Sequence, residues 1–390
     1  MSVVNFGQAC PVVFGSGALE ALPEKARNLG MSKVLLVTEA ELISLGISSR
    51  AKDVLESNGI KVVLFDKVTA DPKDALINEG ADFLASVSDI DGIIGCGGGS
   101  SMDSAKCIAM VNANGGVISD YYYTNFKKVE RGLPVILIPT TSGTGSETSA
   151  WTVVTDSETG LKNNTSLFPA DLALVDPALT YTLPAGQTSS TGLDTLAHGF
   201  SAITADPSDN PYIRLMGCEV IKLVFENLPA AVNEPSNRKA REKMSLAACY
   251  GGMILSDGLA LQFDHSFGEV FGAKYHRPHG LCCAWGLPGA VAMTAKYDPE
   301  KTRLIAPYMG VCLSGNESEE ETIKLMTDRI VQLMRDCRCQ TLKEAGYTLD
   351  DCLSLAGNIM SSGQYGAFPK KNMSREEVEY YLKLTYEAYQ

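Results

Sequence analysis

Basic residues are fewer than acidic residues in this chain. Its 390 residues include 33 Lys and Arg against 46 Asp and Glu, which gives a formal net charge of -13. Binding a phosphate backbone requires a basic stripe, and the sequence contains none. This balance excludes a nucleic-acid partner, and it otherwise serves solubility and does not indicate a reaction.

Long apolar runs are missing as well. The longest uncharged stretch near helix length covers residues 280–295, carries Gly and Pro, and is shorter than the ~20 apolar residues of a membrane span. The first residues, MSVVNFGQACPVVFG, lack the basic start and apolar run of a secretory signal. We therefore expect a cytoplasmic protein without a membrane partner.

Cysteines are present, but not in the spacing that a zinc ribbon or a redox centre requires. The 11 cysteines are odd in number and scattered. Cys337 and Cys339 form a C-x-C, and Cys282 and Cys283 are adjacent; neither is the C-x-x-C pair of such sites. Reduced thiols in a cytoplasmic protein are the expected state.

What the sequence does contain is a change in the pattern of its apolar residues near residue 185. Before it, apolar runs typical of buried strands (33–38, 61–65, 92–95, 134–138, 172–175) alternate with helix-like segments (about 17–29, 40–58, 73–87, 100–113). After it, only helical periodicity remains, as in 321–337 and 374–389, and Ser374 with Glu377 is typical of a capping box. This pattern predicts an α/β domain with a Rossmann-like parallel sheet over residues 1–185 and an all-α domain over 186–390.

Two polar loops follow strands of the first domain. Residues 95–101, GCGGGSS, run from a strand into a helix, where glycines and free N–H groups favour a phosphate. Residues 139–148, PTTSGTGSET, follow the next strand with six hydroxyl side chains and two glycines. Ligands of parallel sheets bind at such carboxyl ends, although a tight turn and a solvated loop are the plainer alternatives. Glu39, at the end of another strand, suits the ribose hydroxyls of adenosine or a charge beside a helix start.

All four histidines lie in the helical half. Asp194 and His198 are spaced i, i+4, so on a helix they share one face, and His265, His276 and His279 fall within 15 residues. One carboxylate and several imidazoles form a competent ligand set for Fe²⁺ or Zn²⁺. Each histidine taken alone is more often a core or surface residue, and spacing does not establish that these segments meet.

These motifs together resemble the iron-containing alcohol dehydrogenase family, also called group III, over essentially the whole chain. The segments that carry the resemblance are FGSG (14–17), GGGSSMDSAK (97–106), PTTSGTGSE (139–147), DPALTYTLPAGQTSSTGLDTLAHG (176–199) and the histidine region 265–280. The resemblance implies an NAD-dependent oxidoreductase that acts on a small alcohol or aldehyde. It also implies a divalent metal, Fe²⁺ or alternatively Zn²⁺, and we expect a homo-oligomer.

The resemblance also assigns residues. The implied metal ligands are Asp194, His198, His265 and His279. The implied cofactor contacts are Gly97, Gly98, Gly99, Ser100 and Asp103 at the pyrophosphate, Thr140, Thr141 and Thr144 in the second loop, Lys162 at the nicotinamide ribose, Asp71 in a turn where the family usually has Asn, and Glu39, whose charge implies a preference for NAD.

Two positions depart from the family pattern and are candidates for proton transfer. Many members carry a second histidine four residues after the third ligand, where this chain has Glu269. His276 stands where Asn is frequent, three residues before the last ligand. Glu269 could accept a proton or merely pair with a nearby base; His276, with Lys274 and Arg277, could instead favour a substrate with a remote anionic group.

The implied mechanism is Lewis-acid polarisation of the substrate oxygen by the metal, with hydride exchanged with the nicotinamide. Two other functions stay open on the sequence alone. A lyase like dehydroquinate synthase would use the same fold, NAD and a metal, but residues 190–280 are poor in the Lys and Arg that its phosphorylated substrate would need. A dinucleotide-binding scaffold with reduced catalysis is the second alternative.

Overall fold

The computed structural model describes residues 3–4, 6–125, 127–166, 168–257, 261–363, 365–370 and 372–389. The chain divides into two compact units, one formed by Gln8–Thr182 and the other by Met1–Gly7 with Leu183–Gln390. No helix within the described residues is both long and apolar enough to cross a bilayer.

The first unit is built on a parallel sheet of short, branched, buried strands. Its members and an adjoining hairpin are β1 (Val12–Phe14), β2 (Lys33–Val37), β3 (Lys61–Phe65), β4 (Gly92–Gly97), β5 (Val135–Pro139), β6 (Trp151–Thr155), β7 (Lys162–Ser166) and β8 (Leu172–Val175). Six strands pair in the order β1-β8-β5-β4-β2-β3, and all of these pairs are parallel. The predicted parallel sheet is confirmed. Strands buried on both faces read as near-continuous apolar runs, which is why the sequence revealed them.

The strand order places a switch point between β2 and β4. From β2 the chain moves outward to β3, whereas from β4 it moves the other way to β5. Val34 of β2 pairs with Gly92 of β4, and Val37 with Gly95, so the two strands end side by side. In open α/β sheets the crevice for a ligand opens at such a point. The loops after β2 and β4 are those that carry Glu39 and the glycines.

Three strands were missed in the sequence. β1 has only three residues, and β6 and β7 form a separate antiparallel hairpin. β7 has the sequence KNNTS, which contains no apolar residue. Strand prediction relies on buried apolar side chains, so a polar strand held by its partner's backbone gives no such signal.

The helices of this unit are α1 (Leu22–Asn28), α2 (Ala40–Ser44), α3 (Ile47–Ser57), α4 (Asp74–Ser86) and α5 (Gly99–Asn114). The single helix predicted over 40–58 is wrong in one respect, because it is two helices. Gly46 separates them and has a left-handed backbone with φ 75°. Glycine adopts this conformation without steric cost, so the chain changes direction there.

The regular secondary structure among the described residues of the second unit is helical, as predicted. Its helices are α6 (Ala185–Ala205), α7 (Pro211–Asn233), α8 (Arg238–Asp257), α9 (Phe263–Tyr275), α10 (His279–Tyr297), α11 (Pro299–Ile305), α12 (Glu319–Asp336), α13 (Leu349–Leu353), α14 (Ala356–Ser361) and α15 (Arg375–Glu387). The predicted capping box begins α15: Glu377 N–H donates to Ser374 Oγ at 3.2 Å, and Ser374 N–H donates to the Glu377 carboxylate at 2.8 Å. A core that includes Phe200, Phe267 and Trp285 holds α6, α9 and α10 together.

Candidate functional site

The glycine loop joins β4 to α5 directly. β4 ends at Gly97 and α5 begins at Gly99. A Cβ atom on Gly99 would lie 2.8 Å from Thr144 Cγ2, so only glycine lets the two predicted cofactor loops approach this closely. The first turn of a helix has backbone N–H groups without intrahelical partners, which favour an anion. Gly98 and Ser100 belong to the same turn.

The second loop lies against the first. Thr140 N–H donates to Gly97 C=O at 2.9 Å. A Cβ on Gly98 would lie 3.6 Å from Thr141 Cγ2, which is ordinary van der Waals contact. The structure therefore brings together the glycines and the three threonines predicted to contact the cofactor, at the carboxyl ends of neighbouring strands.

Glu39 lies beside this loop. It follows β2, and its half-buried carboxylate accepts a hydrogen bond from Ser101 Oγ at 3.1 Å. Burial raises the pKa of Glu39, and the bond from Ser101 partly offsets that rise. An acidic group thus lies against the first turn of α5, beside the glycine loop.

Asp103 has a different environment from the glycines. Its Oδ1 accepts from Ser146 Oγ and lies 3.3 Å from Lys106 Nζ, and its Oδ2 accepts from Val153 N–H at 3.0 Å. These bonds tie α5 to the second loop and to β6. The predicted contact between Asp103 and the cofactor stays a prediction, because the structure accounts for both oxygens through bonds within the chain.

Asp71 and Lys162 meet in an ion pair. Lys162 Nζ lies 2.7 Å from Asp71 Oδ1, although 91 positions separate the two residues along the chain (162 − 71). Asp71 has a left-handed backbone, φ 52°, in a turn next to the hairpin, where Thr155 N–H donates to Pro72 C=O at 2.8 Å. The hairpin that the sequence did not reveal is what carries Lys162 to this turn.

Glu147 and Lys106 are buried residues for which the sequence analysis predicts no role. Lys106 Nζ donates to the carbonyls of Ser146, Ser149 and Trp151 at 3.0, 3.2 and 2.7 Å. Burial raises the pKa of Glu147 to about 7, opposed by its own backbone N–H and by the Lys106 charge. This buried lysine holds together three carbonyls between the end of the second loop and the start of β6, and its neighbours along α5 do not predict that role.

The four predicted metal ligands converge in the helical unit. α6 provides Asp194 and His198, α9 provides His265, and α10 begins at His279. Asp194 Oδ1 lies 3.9 Å from His198 Nε2, 4.0 Å from His265 Nε2 and 3.7 Å from His279 Nε2. Donors at about 2.1 Å around a tetrahedral metal are ~3.4 Å apart. The spacing is therefore close to that of a metal centre.

His265 supplies the evidence that this group suits a cation. Its Nε2 is buried and has no hydrogen-bond partner among the described residues, while its Nδ1 lies 2.9 Å from Asp264 Oδ2. A hydrogen bond at Nδ1 fixes the tautomer in which Nε2 carries a lone pair. A buried nitrogen with a free lone pair, facing a carboxylate, is the arrangement that a divalent metal would complete.

Asp264 was missed in the sequence. It is fully buried, and its second oxygen, Oδ1, accepts from Ser201 Oγ at 2.6 Å. Burial lowers the pKa of His265, but the charges of Asp264, Asp194 and Glu269 outweigh it, so the net pKa is raised. A carboxylate next to a histidine in the sequence gives no recognisable pattern; only the fold shows that it orients the ring.

A close approach between helices makes the convergence geometrically feasible. A Cβ on Gly280 would lie 2.7 Å from Asp194 Cβ and 3.0 Å from Asp194 N, and it would overlap the carbonyl oxygen of Ser190. The absence of a side chain at Gly280 thus lets the start of α10 contact α6 directly. His279 is the neighbouring residue, so this contact is what brings its ring to Asp194.

Cys283 joins the same group of side chains. Its Sγ lies 3.5 Å from His279 Nε2, and potential ligand atoms of Asp194, His265, His279 and Cys283 all lie within 4.8 Å of one another. Burial and the charges of Asp194 and Asp264 raise the pKa of the Cys283 thiol well above its usual range. The sequence suggested no role for this residue, since its only recognisable partner was the adjacent Cys282.

The two candidates for proton transfer have different surroundings. Glu269 is half-buried on α9, one turn after His265, and its charge contributes to the raised pKa of that histidine. His276 is exposed and ends α9 in a left-handed conformation, φ 51°. Of the two, Glu269 is the candidate whose charge affects the pKa of a predicted metal ligand, His265. The catalytic roles of both residues stay predictions.

Known proteins resemble this chain along its length. Residues 11–177 match the sequence profile described as iron-containing alcohol dehydrogenase, and residues 188–386 match the C-terminal profile of the same family. Alcohol dehydrogenase 4 of Saccharomyces cerevisiae (strain YJM789) is 33% identical over 382 residues, 96% of each chain. The NAD-dependent methanol dehydrogenase of Bacillus methanolicus is 36% identical over 317 residues, 80% of this chain and 82% of its own. The solved alcohol dehydrogenase from Oenococcus oeni superposes with a TM-score of 0.90 at 29% identity, covering 99% of this chain and 100% of that one.

Proposed function

Because the chain belongs to the iron-containing alcohol dehydrogenase family, whose members are oxidoreductases, we propose that it interconverts a small alcohol and its aldehyde, using NAD(H) and a divalent metal. The observation that carries the proposal is the convergence of Asp194, His198, His265 and His279, with the buried Nε2 of His265 facing the carboxylate. The NAD-dependent methanol dehydrogenase among the relatives supports the choice of cofactor.

The residues of the helical unit would hold the metal and orient the substrate. Asp194 and the three histidines are its ligands in this proposal, with Asp264 fixing the His265 ring. A divalent metal there supplies Lewis acidity, which favours negative charge on the substrate oxygen. The family's iron is the first candidate, and zinc accepts the same N and O donors.

The residues of the sheet unit would hold the dinucleotide. The N–H groups at the start of α5 face the position proposed for the pyrophosphate, with Thr140, Thr141 and Thr144 beside them. Glu39 accepts from the ribose hydroxyls in this proposal, and Lys162, held by Asp71, reaches the second ribose. The nicotinamide supplies or accepts the hydride, and the protein contributes its position.

The function is tested on protein stripped of metal and reloaded separately with Fe²⁺ and with Zn²⁺. We expect NADH oxidation with small aldehydes only in a reloaded sample. Metal and NADH binding without turnover of any aldehyde would favour the non-catalytic scaffold. Elimination of phosphate from a phosphorylated substrate such as that of dehydroquinate synthase would favour the lyase.

Glu39 gives a prediction about cofactor preference. Two like charges about 4 Å apart repel by ~4 kcal/mol at the effective dielectric of a protein surface. The 2′-phosphate of NADPH would meet this repulsion, so we expect a preference for NADH, and we expect Glu39→Gly to raise kcat/KM for NADPH by at least about tenfold. Steady-state kinetics with both cofactors checks this. Equal use of NADPH by the unmodified protein would mean that Glu39 does not face the ribose.

Glu269 gives a prediction about proton transfer. A carboxylate near a divalent cation stays ionised, so it can accept a proton or orient a substrate hydroxyl. Glu269→Gln keeps the shape and removes the charge, and we expect kcat to fall by about 10²-fold with a changed pH profile. If kcat and its pH profile are both unaltered, Glu269 is structural, and the proton role passes to His276 or solvent.

A further inference from the structure

Cys283 belongs to the group of neighbouring side chains that also contains Asp194, His265 and His279. Neither the spacing of residues in the sequence nor the family resemblance assigned it a role. It lies on α10 one turn after His279, and i, i+4 spacing places both side chains on the same helix face. Cys283 is fully buried. Its Sγ lies 3.5 Å from His279 Nε2, the atom that also faces Asp194, and 3.8 Å from Nδ1 of the same ring.

The distance between these two atoms fits ligands of one metal. With a metal–sulfur bond of about 2.3 Å and a metal–nitrogen bond of about 2.1 Å, two donors of a five-coordinate metal are ~3.1 Å apart at an angle of 90° and ~3.8 Å apart at 120°. Cys283 Sγ and His279 Nε2 are 3.5 Å apart. A hydrogen bond from S–H to this nitrogen would also give such a distance, but it would use the lone pair that the metal needs.

The packing of α9 against α10 directs the sulfur to this position. A Cβ on Gly268 of α9 would lie 3.0 Å from Cys283 N and would overlap Cys283 Sγ. Glycine therefore leaves the space that the sulfur occupies, one turn from His265. The buried Nε2 of His265, which has no hydrogen-bond partner in the part of the chain that the structure describes, lies in the same group, and this is an independent indication that a cation belongs there.

From this geometry we propose that Cys283 Sγ is an additional ligand of the metal, next to Asp194 and the histidines. The inference rests on the proposed function, which places a divalent metal at this site. On binding, the thiol releases its proton to solvent and the sulfur lone pair forms the bond to the metal. A sulfur donor favours Zn²⁺ or Co²⁺ over hard cations such as Mn²⁺, so Cys283 bears on which metal the centre selects.

Cobalt provides the test, because sulfur bonded to Co²⁺ gives a near-ultraviolet charge-transfer band that nitrogen and oxygen donors do not. The unmodified protein, Cys283→Ser and Cys282→Ser are loaded with Co²⁺, and bound cobalt is quantified in each. We expect the band in the unmodified protein and in Cys282→Ser, and its loss in Cys283→Ser. Cys282 is the matched control, since it is the neighbouring buried thiol and lies outside the ligand group.

A second measurement does not depend on any variant folding. X-ray absorption at the zinc edge of the unmodified, zinc-loaded protein should show a sulfur neighbour at about 2.3 Å. A shell of nitrogen and oxygen alone, or a cobalt band that persists in Cys283→Ser, would overturn the inference. Those results leave metal-dependent aldehyde reduction untouched, whereas a sulfur–metal bond in a protein that reduces no aldehyde would overturn the proposed function and keep this inference.

Discussion

Replacing His265 with alanine should abolish metal binding and turnover while leaving dinucleotide binding intact. His265 Nε2 is buried, faces Asp194 Oδ1 at 4.0 Å and has no hydrogen-bond partner among the described residues. Loss of a residue that only orients a ligand costs 10–100-fold in metal affinity, so loss of the ligand itself should exceed ~100-fold. The glycine loop belongs to the other compact unit, which keeps its own core.

The measurements are metal content after dialysis against a weak chelator, aldehyde reduction, and NADH binding by fluorescence. His265→Asn is the companion variant, because its side-chain N–H can replace Nδ1 as the donor to Asp264 while no atom replaces Nε2. We expect both variants to lose metal and to bind NADH like the unmodified protein. Retention of metal by both would show that His265 is a core histidine and not a ligand.

Prediction from sequence succeeded where burial leaves a periodic signal. The strands around Val34, Ile94 and Ile136 are apolar without interruption because helices cover both faces of the sheet, and a parallel sheet follows from their alternation with helices. The proximity of Asp194 and His198 on α6 was equally predictable, since residues spaced i, i+4 on a helix share one face. Their role as metal ligands stays a prediction. Both are local patterns read over a few residues.

The features that escaped prediction depend on contacts between distant segments. Asp264 is one of several polar residues of α9 until Ser201, 63 residues away, is seen to donate to it. Lys106 is an ordinary helix lysine until the carbonyls of Ser146, Ser149 and Trp151 are seen to accept hydrogen bonds from it. Cys283 shares a helix face with His279, but it approaches Asp194 and His265 only through the packing of α10 on α6 and α9. Sequence spacing carries no information on such tertiary contacts. The four candidate metal ligands could therefore be predicted from the sequence, but the neighbouring Asp264 and Cys283 could not.

Among the glycines that the structure describes, Gly280 is the one at which we expect an added methyl group to have the largest effect. The new Cβ would overlap Ser190 C=O and lie 2.7 Å from Asp194 Cβ, and helix backbone gives way less readily than the end of a flexible side chain. Overpacking of this kind costs about 1–3 kcal/mol of unfolding free energy. Relief requires the start of α10 to move away from α6, which carries His279 away from Asp194. A displacement of about 1 Å at a reacting centre can lower activity ~10²-fold, so metal affinity and kcat should fall together.

Gly186→Ala is the matched control for this substitution. Gly186 lies in the first turn of α6 in the same unit. Apart from its two chain neighbours and the nearby backbone of α6, no atom of the described residues lies within 4 Å of the added Cβ. Alanine is favoured over glycine in a helix by up to about 1 kcal/mol, so this variant should be unchanged or slightly more stable. Thermal unfolding and metal titration of both variants decide the matter. A Gly280→Ala protein that binds metal and unfolds like Gly186→Ala would show that the contact between α6 and α10 does not set the position of His279.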